Sequence, residues 1–212
     1  MLGFYDYTVI LTYLSVVSSV VGMCCAVGEK YTIAIVCLLI SGLCDMFDGM
    51  VARTKKNRTE MEAKNGIQLD SLADVVCFGM FPALIGFCLG REYKFSWLFC
   101  ITGGFYVLCA IIRLAYFNVT EEMRQKQTEG KRKFYEGLPV TSAALFIPAL
   151  FCTKNLLGER FVFVYAIVLI LIGICFITNF KVKKFGLKGN LIMLLVGALI
   201  FAVLIALRLN GL

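Results

Sequence analysis

Histidine is missing from all 212 residues. With it go imidazole acid or base catalysis, imidazole metal ligation and any Ser-His-Asp triad. Charge is scarce as well: Asp, Glu, Lys and Arg make up 17% of the chain against 60% hydrophobic residues, and the mean hydropathy is +0.85. So few charges would leave an ordinary soluble domain without enough polar surface. Only three prolines interrupt the apolar runs. No C-x-x-C pair occurs among the ten cysteines, and each cysteine sits in or at the end of an apolar run, so they read as small buried hydrophobes in reduced form.

The apolar residues gather in seven segments, at about 8–27, 31–52, 67–90, 95–117, 138–153, 160–179 and 189–208. Most are long enough to cross a hydrocarbon core of roughly 30 Å, which takes about 20 helical residues. The expectation is a single all-α domain over 1–212, a polytopic transmembrane helix bundle. The fifth segment is short enough to be a tilted span or a half-span. The first has no basic residues before it and no small-x-small cleavage site after it, so it reads as a retained span rather than a signal peptide.

Basic residues divide unevenly among the connections. The loops at 53–65, 118–137 and after the sixth segment hold five, five and four Lys or Arg; the remaining connections and the C-terminal end hold six, and Arg113 lies inside a span. By the positive-inside rule the three rich loops and the N-terminus face the cytoplasm. Their charge also suits anionic lipid headgroups. Split among short loops, it forms no basic groove for nucleic acid. The linker 120–133 is polar and charged enough to be mobile without a ligand. No repeat relates two halves of the chain, which counts against a transporter.

Against this background the stretch from Asp45 to Asp74 stands out. Asp45 and Asp48 are three apart near the end of the second segment, and Asp70 and Asp74 four apart near the start of the third. Helical spacing puts each pair on one face, and the loop between them returns to the same side, so the pairs can converge. Four carboxylates in low dielectric repel strongly without a counter-charge. An all-oxygen donor set suggests Mg²⁺ or Mn²⁺. Gly49 and Ala52 keep that face low, and Arg53 stands where it could grip a phosphate bidentately. Gly42, Gly49 and Gly66 could equally be helix-packing glycines, and Arg53 a topology-setting charge.

These residues resemble a signature, D-x2-D-G-x2-A-R-x(n)-G-x3-D-x3-D, that of the CDP-alcohol phosphotransferases. Asp45, Asp48, Gly49, Ala52, Arg53, Gly66, Asp70 and Asp74 fill every fixed position. Twelve residues separate Arg53 from Gly66, against the seven or eight usual in that family, and lengthen the loop. The resemblance implies an integral membrane enzyme, usually a homodimer with about six core helices, here with an extra C-terminal span. It also implies a pair of divalent cations held by Asp45, Asp48, Asp70 and Asp74, with Asp74 doubling as general base. Gly49, Ala52, Arg53, Gly66 and Ser71 would then line the site of a CDP-linked lipid.

From about residue 40 to 140 the match is most similar to the phosphatidylserine synthases of that superfamily, through D-S-L-A-D-V-V-C-F-G-M-F-P from Asp70, R-L-A-Y-F-N from Arg113 and Y-E-G-L-P from Tyr135. This implies transfer of the phosphatidyl group of CDP-diacylglycerol to serine, with release of CMP. Serine needs a cation for its carboxylate and an acceptor for its ammonium; Arg113, Asn118, Lys133 and Glu136 are the candidates. Two other readings stay open: the same chemistry on glycerol 3-phosphate or an inositol phosphate, and a divalent-cation transporter.

Overall fold

The computed structural model describes residues 3–127, 134–183 and 187–209. A 3-10 turn at Tyr7–Val9, capped by the Asp6 side chain, leads directly into α1 (Ile10–Val27). The chain then turns back as α2 (Tyr31–Ala52), which packs along α1. Two helices in lipid gain little from apolar contact with each other, so close approach and hydrogen bonding must hold them. Ser15 and Ser19, one turn apart on α1, both place their hydroxyls 2.7 Å from the Ser41 hydroxyl of α2, which donates to the Ser15 carbonyl. Ser18 adds a bond to the Cys37 carbonyl at 3.0 Å.

Helix α3 (Glu60–Asp74) begins seven residues ahead of the expected third segment. Thr59 and Glu62 form a capping box there, each side chain bonding the other's backbone N–H. Its last residue, Asp74, runs into a π-helical stretch, Val75–Met80, and on into α4 (Phe81–Glu92), giving one continuous rod over 60–92. Pro82 explains the loosened stretch. It has no N–H to offer the Phe78 carbonyl four residues back, and its ring crowds that carbonyl, so the helix widens. The Phe81 N–H bonds Val76, five residues back, and the freed Phe78 carbonyl accepts from the Tyr106 hydroxyl at 2.6 Å.

Helix α5 (Ser96–Gln127) outruns the expected fourth segment by ten residues. The start of the linker expected to be mobile is helical, held in part by an Arg124–Glu121 ion pair one turn apart at 2.6 Å. Strand β1 (Phe134–Glu136) pairs antiparallel with β2 (Lys181–Lys183), a small ribbon added to an otherwise helical fold. Gly137 turns the chain out of β1 at φ +73°, where a Cβ would sit 2.9 Å from the Phe176 carbonyl. After a 3-10 turn come α6 (Ala143–Phe151), with Pro148 inside it, α7 (Lys154–Leu157), α8 (Arg160–Ile177) and α9 (Leu187–Leu209).

Among the described residues, five helical stretches are long and apolar enough to cross a membrane: Tyr7–Val27, Tyr31–Ala52, Glu60–Glu92, Ser96–Arg124 and Arg160–Ile177. Two shorter apolar helices, Val140–Phe151 and Leu194–Ala206, stand where the fifth and last segments were expected. The chain is thus a helical membrane bundle in which α6 is a half-span by length. Inside it α5 packs against α4 and α8, while α6 and α9 lie on α2. Phe99, Tyr165, Phe161 and Phe151 form a chain of buried rings, tilted except for the edge-to-face Phe151–Phe161 pair, and the Tyr165 hydroxyl bonds the Pro82 carbonyl at 2.9 Å.

The connections fall into two sets. At one end Lys55 binds Asp6, Tyr7 meets Thr54, and β1 joins the connection after α5 to the one after α8. At the other end Arg91 reaches the Val27 carbonyl and Glu29, and Lys154 lies over the Tyr31 ring. This is the alternation that the count of basic residues requires.

Candidate active site

Asp45 and Asp48 stand in the last two turns of α2, and Asp70 and Asp74 in the last two turns of α3. Because the 53–59 loop brings α3 back beside α1, the partner of α2, the four carboxylates meet. The Asp45 side chain is within hydrogen-bonding reach of Asp74, and that of Asp48 within reach of Asp70. One oxygen each from Asp45, Asp70 and Asp74 lie within 4.8 Å of one another. Asp74 is buried at 9% exposure; the other three are half-buried. Among the described residues, no lysine or arginine forms an ion pair with any of the four. Carboxylates this close, without a basic partner, fit a cation held between two helices.

A third helix reaches the same place. Thr12 of α1, 6% exposed, donates to Asp48 at 3.4 Å, and the hydroxyl ladder of Ser15, Ser19 and Ser41 continues from it into the bundle. The sequence reading missed these residues. Their signal was present as Thr12, Ser15 and Ser19, three polar side chains at helical spacing on one face of an otherwise apolar span.

The glycines of the region separate into two kinds. Gly42 is a helix-packing glycine, one of the readings its sequence left open, since a Cβ there would stand 2.4 Å from the Ala144 Cβ of α6. Gly49 is open apart from the Arg53 guanidinium, whose Nη2 lies 3.7 Å from the position of a Cβ. Ala52 is half-buried beside it, and Arg53 is exposed at the end of α2. At Gly66 the neighbour is Arg58, with Nη2 2.1 Å from where a Cβ would be.

Ser71 bonds Asn118 of α5, its hydroxyl donating to Oδ1 at 3.0 Å, which joins one expected donor-site residue to one expected acceptor-site residue. Arg113 is buried at 6% exposure with its guanidinium over the Phe117 ring, 5.4 Å from the centroid. It lies seven residues, two turns, beyond Tyr106, which bonds Phe78. Seven residues return a helix to nearly the same direction, so Arg113 shares the face of α5 that Tyr106 turns toward the Phe78 carbonyl. Glu136 has its backbone in β1 opposite Lys181. Lys133 lies outside the described residues.

The loop itself is tied down. Lys55 bridges Asp6 at 2.7 Å and Glu62 at 3.0 Å, and Tyr7 meets Thr54 at 3.1 Å. The Lys55 ammonium, with bonds from the Thr8 hydroxyl and backbone, holds the Asp6 carboxyl down at about 2, below its ordinary 3.8. Asp6 in turn raises the Lys55 ammonium.

The family model described as CDP-alcohol phosphatidyltransferase matches residues 8–208. A CDP-diacylglycerol--serine O-phosphatidyltransferase of Saccharomyces cerevisiae is 40% identical over 120 residues, 55% of this chain and 41% of that protein. An archaetidylserine synthase of Methanothermobacter thermautotrophicus is 30% identical over 144 residues, 68% and 57% of the two chains. A CDP-diacylglycerol--serine O-phosphatidyltransferase of Helicobacter pylori is 30% identical over 189 residues, 82% and 73%. The match thus spans about half the length of the first two relatives and nearly three quarters of the third.

Proposed function

This chain belongs to the CDP-alcohol phosphatidyltransferase family, and we propose that within it the chain transfers the phosphatidyl group of CDP-diacylglycerol to L-serine, giving phosphatidylserine and CMP. The observation that carries this reading is the convergence of four carboxylates from α2 and α3 with no basic partner among the described residues. Relatives named for serine or archaetidylserine synthesis support the choice of acceptor.

Asp45, Asp48, Asp70 and Asp74 would hold two divalent cations, Mg²⁺ or Mn²⁺. When bound, such cations neutralise the diphosphate and the charge developing on the leaving CMP. Arg53, over the open notch of Gly49, grips a phosphate oxygen of the donor, and Ala52 leaves that approach clear. Asp74, the most enclosed of the four, accepts the proton of the serine hydroxyl. The hydroxyl oxygen bonds to phosphorus as the bond to CMP breaks, and CMP leaves with the electron pair. Arg113 receives the serine carboxylate, Asn118 positions Ser71 beside the donor, and Lys133 and Glu136 complete the acceptor pocket. The active site faces the cytoplasm, and the enzyme works as a homodimer.

The test is CMP release from CDP-diacylglycerol with Mg²⁺ or Mn²⁺ and each acceptor in turn. Release that depends on serine is expected. A preference for glycerol 3-phosphate or an inositol phosphate would move the acceptor assignment, and metal uptake into sealed vesicles without CMP release would replace the enzyme reading.

A further inference from the structure

Two notches flank the carboxylates. Gly49 follows Asp48 on α2, and Gly66 precedes Asp70 by one turn on α3, so each opens onto one edge of the cluster. A guanidinium lies in each: Arg53 over Gly49, and Arg58 over Gly66. The family signature includes Arg53. Arg58 belongs to the lengthened loop and to no signature position.

Arg58 is seated rather than waving in solvent. It is half-buried, its Nη2 donates to the Glu62 carbonyl at 3.3 Å, and its Cζ stands 3.3 Å from where a Gly66 Cβ would be. Its Nε–H is buried and finds no acceptor among the described residues. A buried donor on a permanent cation calls for an anionic acceptor. The loop that carries it is fixed at Lys55 by Asp6 and Glu62 and at Thr59 by the capping box, so the guanidinium is held in place before any ligand arrives. The glycine at 66 is what lets it lie flat on α3, since any side chain there would displace it.

We propose that Arg58 is a second donor-binding residue, which contacts a phosphate of the CDP-linked donor from the Gly66 side, opposite Arg53. The inference rests on the reading of the site given above. A diphosphate lying across the cluster presents oxygens at both edges, and a guanidinium can take two of them through parallel hydrogen bonds. The longer loop of this chain thereby supplies a cation that a shorter loop could not carry to Gly66.

The experiment compares wild type with Arg58→Ala, Arg58→Lys and Gly66→Ala in detergent, with and without added phosphatidylglycerol. It reads CDP affinity by calorimetry and KM and kcat for CDP-diacylglycerol with serine in excess. Arg58→Ala is expected to weaken CDP binding and raise the donor KM by about tenfold, with kcat within about threefold and serine KM unchanged. Arg58→Lys should recover part of the loss because the charge remains, and Gly66→Ala should reproduce it without further loss in the double variant. A merely structural arginine would lower kcat or thermal stability and leave CDP affinity alone; that result overturns the proposal. So does a variant whose only change is loss of its response to phosphatidylglycerol, which would make Arg58 a lipid-headgroup contact. If wild type binds CDP in an Arg58-dependent way yet releases no CMP with serine, the reading of the reaction fails and this one stands.

Discussion

Asp74 carries the most specific chemical demand at the scale of single residues. It is the most buried of the four carboxylates, within reach of Asp45, and it closes α3 where the helix loosens into the π-helical stretch. Asp74→Asn keeps the shape and a neutral donor–acceptor pair while removing the proposed base. Turnover is expected to fall by a thousandfold or more, with CDP affinity changed by less than tenfold, measured as CMP release and as calorimetric binding. Full activity in that variant removes Asp74 as base. Arg113 makes a separate demand: Arg113→Lys should raise the serine KM by about tenfold while leaving the donor KM alone, because lysine keeps the charge but not the fork. A donor KM that rises in step would place Arg113 with the diphosphate instead. The aspartates were legible from spacing and from the cost of charge in an apolar run. Arg58 was not, because a lone arginine in a charged loop has no pattern until the fold lays it on Gly66.

Among the elements, α1 was read only as a span, yet it closes the site through Thr12 and grips α2 through a ladder of serines. Ser41 uses its full capacity there, one donor and two acceptors. Ser41→Ala would leave two buried hydroxyls without that partner, at a cost of about 1–2 kcal/mol, read as a lower midpoint of thermal unfolding in detergent. An unchanged midpoint would mean that packing alone joins the helices. The N-terminal segment and the 53–59 loop form a second device, whose stability depends on pH. The Asp6 carboxyl is lowered from 3.8 to about 2, so its contribution is whole above about pH 4 and is lost as pH falls through about 2. Asp6→Asn should therefore lower the unfolding midpoint by an amount constant from pH 8 to 5, and the gap to wild type should close below pH 4. A gap that persists at pH 2 would assign the effect to the 3-10 turn that Asp6 caps. The early start of α3 was readable too, in T-E-M-E at Thr59, but its polar first turns fall below any hydropathy threshold.

For the whole molecule, hydropathy located the spans well because backbone groups in lipid must be satisfied within each helix, so a long apolar run has one outcome. It located the ends of α5 poorly, since beyond the bilayer an amphipathic charged helix and a polar loop share a composition. Sidedness combines two independent lines. Basic residues concentrate in three connections, and the contacts of Lys55 with Asp6 and of β1 with β2 gather the described parts of those connections at one end, while Arg91 and Lys154 mark the other. If that first end is cytoplasmic, a membrane-impermeant amine reagent applied to intact cells should label peptides containing Lys30 and Lys94 and spare those containing Lys55, Lys56 and Lys64. Permeabilising the cells should add Lys56 and Lys64, both exposed or at an exposed turn, ahead of Lys55, whose ammonium is engaged by two carboxylates. Labelling of Lys64 from outside would invert the protein. Because both carboxylate pairs sit at that end, inversion would also move the proposed active site to the far side of the membrane, away from a cytoplasmic supply of the proposed CDP-linked donor.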